Sequence, residues 1–485
     1  MIQKHSEQQV FLLHTKNTTY CFRVLSTGQL EHLYYGSKIT MCDPQSFIEK
    51  HAFGPGNTIA YDNEHTEFTL EDLCLEMSSF GKGDIREPFV EVVCADGSST
   101  LDFIYDHDEI TKGKEELETL PSSYDEKQEV DHLIIFLKDR NHGFFLELHY
   151  YVYEEEDVIS RTARFINTSD NDVSLRRLMS TQIDFNEANL IVSSFHGGWT
   201  KEMKKVDSVV NAGKFVNATF AGCSSNRSNP FIMISREGTN ERMGDCYGLN
   251  LIYSGNHYEA LEVNSFDKTR VVSGINPSNF AFQLSSGDTF EAPEAVMTFS
   301  MEGFGGLSQN MHSFIRKHIV RGVWRDKERP VLLNSWEANY FDIDEGKLLA
   351  LAKKSKEEGI ELFVMDDGWF GERSDDKRAL GDWIPNKKKL PHGLKGLCDK
   401  INALGLDFGI WVEPEMVNVD SDLYRTHPDW SMEIPGCQHS EGRNQRILDF
   451  ANPEVVSYMT RQMKEVFSSA NIAYVKWDMN RIFSD

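Results

Sequence analysis

The sequence predicts a multidomain protein in which an antiparallel β-sandwich precedes part of a (β/α)₈ barrel. Up to about residue 300, short runs of strand-forming residues alternate with Gly, Asn, Asp and Ser, which is typical of a large antiparallel sandwich. Beyond Gly305 and Gly306, strands alternate with amphipathic helices instead. We therefore predict a β-sandwich domain at 1–305, a helical linker at 306–330 and an α/β region at 331–485.

The elements of the β region follow from composition. Strand formers dominate 132–137, 144–152, 260–263 and 295–299, and a turn cluster at 167–172 divides the stretch 160–184 into two strands. A helix follows, because one helical face collects the side chains of Leu307, Met311, Phe314, Ile315 and His318.

The α/β region begins four strand–helix units, with strands at 331–333, 362–365, 408–411 and 473–475. Asn452 and Pro453 are expected to begin the helix before the last strand, as N-cap and first-turn proline. Polar and aromatic residues follow each strand, which favours the catalytic face of a barrel. An open doubly wound sheet is the alternative, but no glycine-rich phosphate-binding motif follows a strand. Because four strands cannot close an eight-stranded barrel, we expect a truncated piece that contains the first half.

Composition excludes several classes of function. The net charge of −26 and the pI near 5.0 argue against binding to nucleic acid or to an anionic membrane surface. There is neither an N-terminal signal-peptide pattern nor an apolar run of membrane-spanning length. The eight cysteines lack metal-finger spacing, so we expect buried thiols in a cytoplasmic protein, with disulfides as the alternative.

The strongest chemical pattern lies at the last strand. Alternation in a strand places Lys476, Asp478 and Asn480 on one face. A lysine beside a carboxylate keeps that carboxylate ionised, which suits nucleophilic attack on the anomeric carbon of a sugar. A structural Lys–Asp ion pair is the alternative.

Other candidates follow the earlier strands. Asp366 and Asp367 could accept hydrogen bonds from sugar hydroxyls, bind a divalent metal or cap a helix. The indoles at strand ends could stack on a sugar ring or pack in the core, and they belong to Trp336, Trp369 and Trp411. We assign Trp477 to packing between barrel and helices.

Three further charged residues each have more than one possible role. Arg443 could bind a substrate hydroxyl or a carboxylate, or could lie in a solvated loop. Glu413 and Glu415 flank a proline at a strand end, and either could be a catalytic acid or a partner of Lys476.

Six segments in order resemble motifs of the bacterial α-galactosidases of glycoside hydrolase family 36. They are WEAN (336–339), MDDGWF (365–370), GDW (381–383), WVEPEM (411–416), GR (442–443) and KWDMNR (476–481). The resemblance extends more loosely through the β region, where GDIREP (83–88) matches best.

The resemblance implies a β-supersandwich, a (β/α)₈ barrel and a C-terminal β domain. It implies a retaining double displacement on α-galactoside oligosaccharides, with Asp478 as nucleophile and no metal or organic cofactor. Terminal galactose would be held by Asp366, Asp367, Trp411, Lys476, Asn480, Arg443 and Trp336. It also implies a homotetramer in which a β-domain loop lines a neighbour's pocket, with 53–56 as the candidate segment.

One part of the family pattern is missing. The family's general acid/base is an aspartate in a glycine-rich segment well beyond the nucleophile, and the sequence stops at Asp485. We therefore expect this polypeptide alone to be inactive. The alternatives are a galactosyl transferase of the raffinose-synthase type and a non-catalytic galactoside-binding protein.

Overall fold

The computed structural model describes residues 1–40, 43–48, 51, 58–225 and 227–485. Within these ranges the chain divides into two compact units, Met1–Arg325 and Asp326–Asp485. The predicted linker at 306–330 spans this division. No helix in the described ranges is long and apolar enough to cross a membrane.

The first unit consists mainly of antiparallel strands. Its strands are β1 (Ile2–His5), β2 (Val10–His14), β3 (Thr18–Val24), β4 (Leu30–Ser37), β5 (Val90–Val93), β6 (Phe103–Lys112), β7 (Asp131–Asp139), β8 (Phe144–Tyr153), β9 (Val158–Asn167), β10 (Val173–Phe185), β11 (Leu190–His196), β12 (Lys204–Val210), β13 (Gly213–Ala218), β14 (Ser228–Ser235), β15 (Cys246–Ile252), β16 (His257–Val263), β17 (Thr269–Ile275), β18 (Phe282–Leu284), β19 (Thr289–Glu291) and β20 (Glu294–Ser300). The turn predicted at 167–172 is confirmed, because β9 ends and β10 begins on either side of it.

These strands form three sheets among the described residues. The first is the meander β1-β2-β3-β4. The second runs β13-β16-β17-β10-β18, with β5 also paired to β10. The third runs β12-β11-β14-β15-β20-β9-β8-β7-β6, with β19 paired to β9. Apolar side chains from all three sheets share one buried core, which confirms the predicted β-rich N-terminal region.

The predicted helix after the β region is α1 (Gly303–His318), which packs on β15 and β20. It buries Leu307, Met311 and Phe314, as the spacing predicts. Ile315, expected on the same face, is 41% exposed, because it lies at the margin of the narrow stripe that contacts the sheet.

The second unit contains a parallel sheet in the order β21-β22-β23-β26. Its elements are β21 (Leu332–Asn334), α2 (Trp336–Asn339), α3 (Glu345–Glu357), β22 (Leu362–Met365), α4 (Gly393–Ala403), β23 (Asp407–Val412), β24 (Met416–Val417), α5 (Asp422–Thr426), β25 (Arg446–Ile447), α6 (Pro453–Ser468) and β26 (Ile472–Trp477). Short 3₁₀ turns in the two units span Pro44–Ser46, Leu70–Asp72, Gly322–Arg325 and Pro428–Trp430.

Local sequence explains where these helices begin. The side chain of Asn452 accepts a hydrogen bond from the backbone N–H of Glu454, and Pro453 occupies the first turn of α6, so the predicted cap is confirmed. Asp344 caps α3 in the same way, through the N–H of Lys347. The helices bury their apolar faces in a core shared with β22 and β23.

Candidate active site

The candidate site lies where β22, β23 and β26 end. These strands are parallel neighbours, and Trp411 in β23 is in register with Lys476 in β26. Their C-terminal ends therefore lie at one edge of the sheet. Asp366 follows β22 directly, and Asp478 follows β26. The sequence-predicted carboxylates are thus brought together by sheet register.

Asp478 is held by three hydrogen bonds to its carboxylate. Its Oδ2 accepts from Trp411 Nε1 and from Asn480 Nδ2, each at 2.9 Å. Its Oδ1 accepts from the backbone N–H of Met479 at 2.9 Å. Its own backbone N–H donates to the carbonyl of Val412, which ties it to β23. The carboxylate is oriented from both oxygens while the residue stays half-exposed.

These contacts determine the charge of Asp478. Burial alone raises the pKa of its carboxyl group, but the hydrogen bonds from Trp411 and Asn480 and the positive charge of Lys476 outweigh burial and lower that pKa below its usual value. Asp478 is therefore ionised at neutral pH and able to act as a nucleophile.

Asp366 is the direct partner of Lys476. The lysine Nζ lies 2.9 Å from Asp366 Oδ2, and the same oxygen accepts a hydrogen bond from Asn334 Nδ2. The backbone N–H of Asp366 donates to Ser335 Oγ at 3.0 Å. Lys476 is 36% exposed on its side chain, so its ammonium group bridges a buried carboxylate and the open side of the site.

Asp367 forms a buried, two-pronged ion pair with Arg373. Arg373 Nε and Nη2 lie 2.9 and 2.8 Å from the two carboxylate oxygens, and a third nitrogen, Nη1, donates to Asn418. Burial raises the pKa of Asp367 above its usual value even though Arg373 opposes this. The helix-cap hypothesis for this pair of acids is wrong, because the next helix, α4, begins only at Gly393.

The carboxylates of Asp366 and Asp367 are balanced by positively charged side chains. Lys476 forms an ion pair with Asp366, and Arg373 forms one with Asp367. Both carboxylates considered as metal ligands are therefore paired with cationic side chains. Within the described ranges, no group of three or more His, Cys, Asp or Glu side chains is arranged to bind a metal ion.

The three tryptophans predicted at strand ends differ in burial. Trp369 is fully buried, so the ring stacking considered for it is not available, and its Nε1 donates to the carbonyl of Trp411. Trp411 is itself 1% exposed and faces the site with its N–H edge. Trp336 is half-buried, with Tyr340 and Phe341 packed edge-on against it.

Trp477 corrects another assignment. The sequence predicts that Trp477 packs between barrel and helices, whereas its side chain is 55% exposed and its Nε1 donates to Glu415. Arg443 is exposed in the turn at 442–445, with φ +52°. Among the described contacts of Asp478, none involves Arg443.

Glu413 has neither of the roles considered for it, whereas for Glu415 the structure excludes only the partnership with Lys476. Neither contacts Lys476, whose described ion pair is with Asp366. Glu413 is fully buried, and its two oxygens accept from the backbone N–H of Asn480 and from Gln445 Nε2. A carboxyl group enclosed in this way cannot reach a substrate oxygen.

Asn334, Arg373 and Gln445 are the contributors that sequence reasoning missed. Asn334 is the last residue of β21 and directly follows the predicted strand at 331–333, so the rule that polar side chains at strand ends form the site could have found it. Arg373 lies six residues after Asp367 in an irregular loop, where no periodicity distinguishes it from Lys377 or Arg378.

Two family models match the chain. The family model described as Glycosyl hydrolase family 36 N-terminal domain matches residues 28–285. The model described as Melibiase matches residues 289–485. The chain belongs to glycoside hydrolase family 36.

Relatives in family 36 resemble the chain along nearly all of its length. Alpha-galactosidase AgaA of Geobacillus stearothermophilus is 41% identical over 97% of this chain and 64% of its own length. The bifunctional alpha-galactosidase/sucrose kinase AgaSK of Mediterraneibacter gnavus is 38% identical over 99% of this chain and 51% of its own. The chain thus spans about one half to two thirds of the length of these curated relatives.

Solved family 36 structures agree with the fold. The crystal structure of AgaB from Geobacillus stearothermophilus superimposes with a TM-score of 0.96 at 40% identity, covering 100% of this chain and 66% of that one. A substituted AgaA from the same organism, in complex with raffinose, gives 0.94 at 40% identity, with coverage of 98% and 66%.

Proposed function

We propose that the chain is part of a retaining exo-α-galactosidase that releases terminal α-galactosyl residues from raffinose-type oligosaccharides. The observation that carries this proposal is the ionised Asp478, oriented by Trp411, Asn480 and Met479 next to the Asp366–Lys476 pair. The names of the relatives and the complexes of AgaA with raffinose and with stachyose support it. The parallel sheet would then be the first half of a (β/α)₈ barrel behind a β-supersandwich.

The chemistry follows from the charge and orientation of Asp478. A carboxylate oxygen forms a bond to the anomeric carbon while the glycosidic bond breaks and its electron pair leaves with the aglycone oxygen. Water then releases galactose from the ester. By the family resemblance, hydroxyls of the galactose would be held by residues at the strand ends, namely Asp366, Asp367, Trp411, Lys476, Asn480 and Trp336, and by Arg443 from the turn at 442–445.

A proton donor for the aglycone must be a second carboxyl group about 5–5.5 Å from the nucleophile. Glu413 is enclosed, and in the family that the chain resembles this group is an aspartate in a glycine-rich segment well beyond the nucleophile. We therefore propose that the acid/base is not among residues 1–485 and that this polypeptide does not turn over galactosides with poor leaving groups.

This proposal can be tested without the acid/base. α-Galactosyl fluoride carries a leaving group that needs no proton, so Asp478 should displace fluoride and retain a galactosyl ester. Intact-mass analysis should show one added hexosyl group, and peptide mapping should place it on Asp478. The Asp478→Asn variant and the β-anomer of the fluoride should give no adduct. A correctly folded chain that stays unlabelled by the α-anomer would favour the binding-protein alternative.

We also propose a homotetramer, on the basis of the family resemblance. The candidate segment at 53–56 lies outside the described residues. Light scattering coupled to size-exclusion chromatography should give four times the chain mass, and a monomer would contradict the proposal.

A further inference from the structure

Glu413 links the segment that contains Asn480 to the turn that contains Gln445. It follows β23 directly and is 0% exposed. One oxygen accepts from the backbone N–H of Asn480, and the other accepts from Gln445 Nε2 at 3.0 Å. Asn480 in turn donates through Nδ2 to Asp478 Oδ2 at 2.9 Å. A continuous set of hydrogen bonds therefore runs from Gln445 through Glu413 and Asn480 to Asp478.

We propose that Glu413 is a positioning residue that fixes the segment after β26, so that Asn480 keeps its hydrogen bond to Asp478. The inference rests on the proposed function, in which Asp478 is the nucleophile. Glu413 itself touches no substrate, because its oxygens are occupied and its side chain is buried.

The need for such a residue follows from the backbone. The last ladder bond between β23 and this segment is the one from the Asp478 N–H to the Val412 carbonyl. Beyond it, β26 has ended, and Asn480 lies outside the sheet. The carboxyl group of Glu413 replaces the missing strand partner by accepting the Asn480 N–H, which would otherwise lack a fixed acceptor.

The surroundings of Glu413 indicate a specific role rather than general packing. Burial raises the pKa of Glu413 to about 7, against the hydrogen bonds from Asn480, and the negative charges of Asp478 and Asp367 add to the rise. Gln445 Oε1 is buried without a hydrogen bond in the described structure. If the amide of Gln445 turns by half a rotation, its Oε1 can accept a hydrogen bond from the carboxyl O–H of neutral Glu413. If this buried position only had to be packed, an apolar side chain would serve without the cost of burying a carboxyl group near Asp478 and Asp367. The presence of Glu413 therefore indicates that its hydrogen bonds are needed.

Two variants of equal charge test the proposal. Glu413→Gln keeps an oxygen for the Asn480 N–H and an amide for Gln445, whereas Glu413→Ala removes both. With α-galactosyl fluoride, Glu413→Gln should label Asp478 at nearly the wild-type rate, and Glu413→Ala should label it on the order of 10- to 100-fold more slowly. The acid limb of the pH–rate profile should lie at higher pH in Glu413→Ala than in Glu413→Gln, because the Asn480 hydrogen bond lowers the pKa of Asp478.

A second measurement separates this inference from the proposed function. Amide hydrogen exchange in the peptide that contains Asn480 should accelerate in Glu413→Ala and stay as in wild type in Glu413→Gln. If wild type is not labelled, the proposed function fails, and exchange alone decides whether Glu413 fixes the loop. Equal labelling rates, or equal exchange, in two folded variants would overturn the positioning role.

Discussion

The indole Nε1 of Trp411 lies 2.9 Å from Asp478 Oδ2, across 67 residues of sequence. Trp411 is 1% exposed and packs against Phe370 and Trp383. Its N–H therefore cannot turn away without disturbing the core. The orientation of the proposed nucleophile is thus set by an aromatic cluster rather than by a mobile surface side chain.

Removal of this donor should slow the proposed chemistry. A hydrogen bond to a charged group contributes about 1.5–3 kcal/mol, so Trp411→Phe should reduce the labelling rate of Asp478 roughly 10- to 100-fold. The acid limb should also move to higher pH, since the bond from Trp411 lowers the pKa of Asp478. Trp477→Phe is the matched control, because that indole is exposed and donates to Glu415. Equal rates for the two variants would contradict the assigned role of Trp411.

Loss of Arg373 should destabilise the second unit. Breaking a buried ion pair costs about 3–5 kcal/mol, so Arg373→Met should lower the free energy of unfolding by about this amount at neutral pH. Burial already raises the pKa of Asp367, and without Arg373 that pKa rises further. The carboxyl group then takes up a proton more readily in the folded state, and the penalty shrinks as pH falls through this raised pKa.

Urea denaturation at neutral and mildly acidic pH measures this effect. The double variant Arg373→Met with Asp367→Asn should recover part of the loss, because no charge remains buried. A loss of stability that is the same at both pH values would show that packing of the guanidinium, rather than its charge, was removed.

Glu76 should contribute to the acid sensitivity of the first unit. It is fully buried and accepts hydrogen bonds from Tyr20 and Tyr150, with Arg161 Nη1 at 2.9 Å. Burial raises the pKa of Glu76, but Arg161 and the hydrogen-bond donors outweigh it, so that the folded pKa lies below the usual value. The ionised group therefore stabilises the fold above its unfolded pKa, and this contribution is lost as pH falls through the folded pKa.

We expect Glu76→Gln to cost about 3–5 kcal/mol at neutral pH and to make stability less dependent on pH in the acidic range. Glu155→Gln is the control, because Glu155 is largely exposed in a surface pair with Lys16 and should change stability by less than about 0.5 kcal/mol. Unfolding followed by circular dichroism across acidic pH checks both. An unchanged pH slope in Glu76→Gln would contradict the assignment.

Several elements and the convergence of the carboxylates could be predicted from sequence because local rules determine them. Apolar runs identify β22, β23 and β26, and the ends of parallel strands must meet at one edge. The pairing of Asp367 with Arg373 and the enclosure of Glu413 could not be predicted, because both depend on irregular loops. The burial of Trp369 could not be predicted either, because a tryptophan at a strand end is compatible with a core position and with a binding surface.

The burial of Trp411 has a consequence for engineering this chain. Trp411 belongs to the hydrophobic core and also donates a hydrogen bond to Asp478, so library substitutions at Trp411 would change foldability and reactivity together. Trp336 is half-buried and Arg443 is exposed, so neither side chain belongs to that core. Directed evolution toward new acceptors or longer substrates should therefore find tolerated diversity around Trp336 and Arg443 and almost none around Trp411.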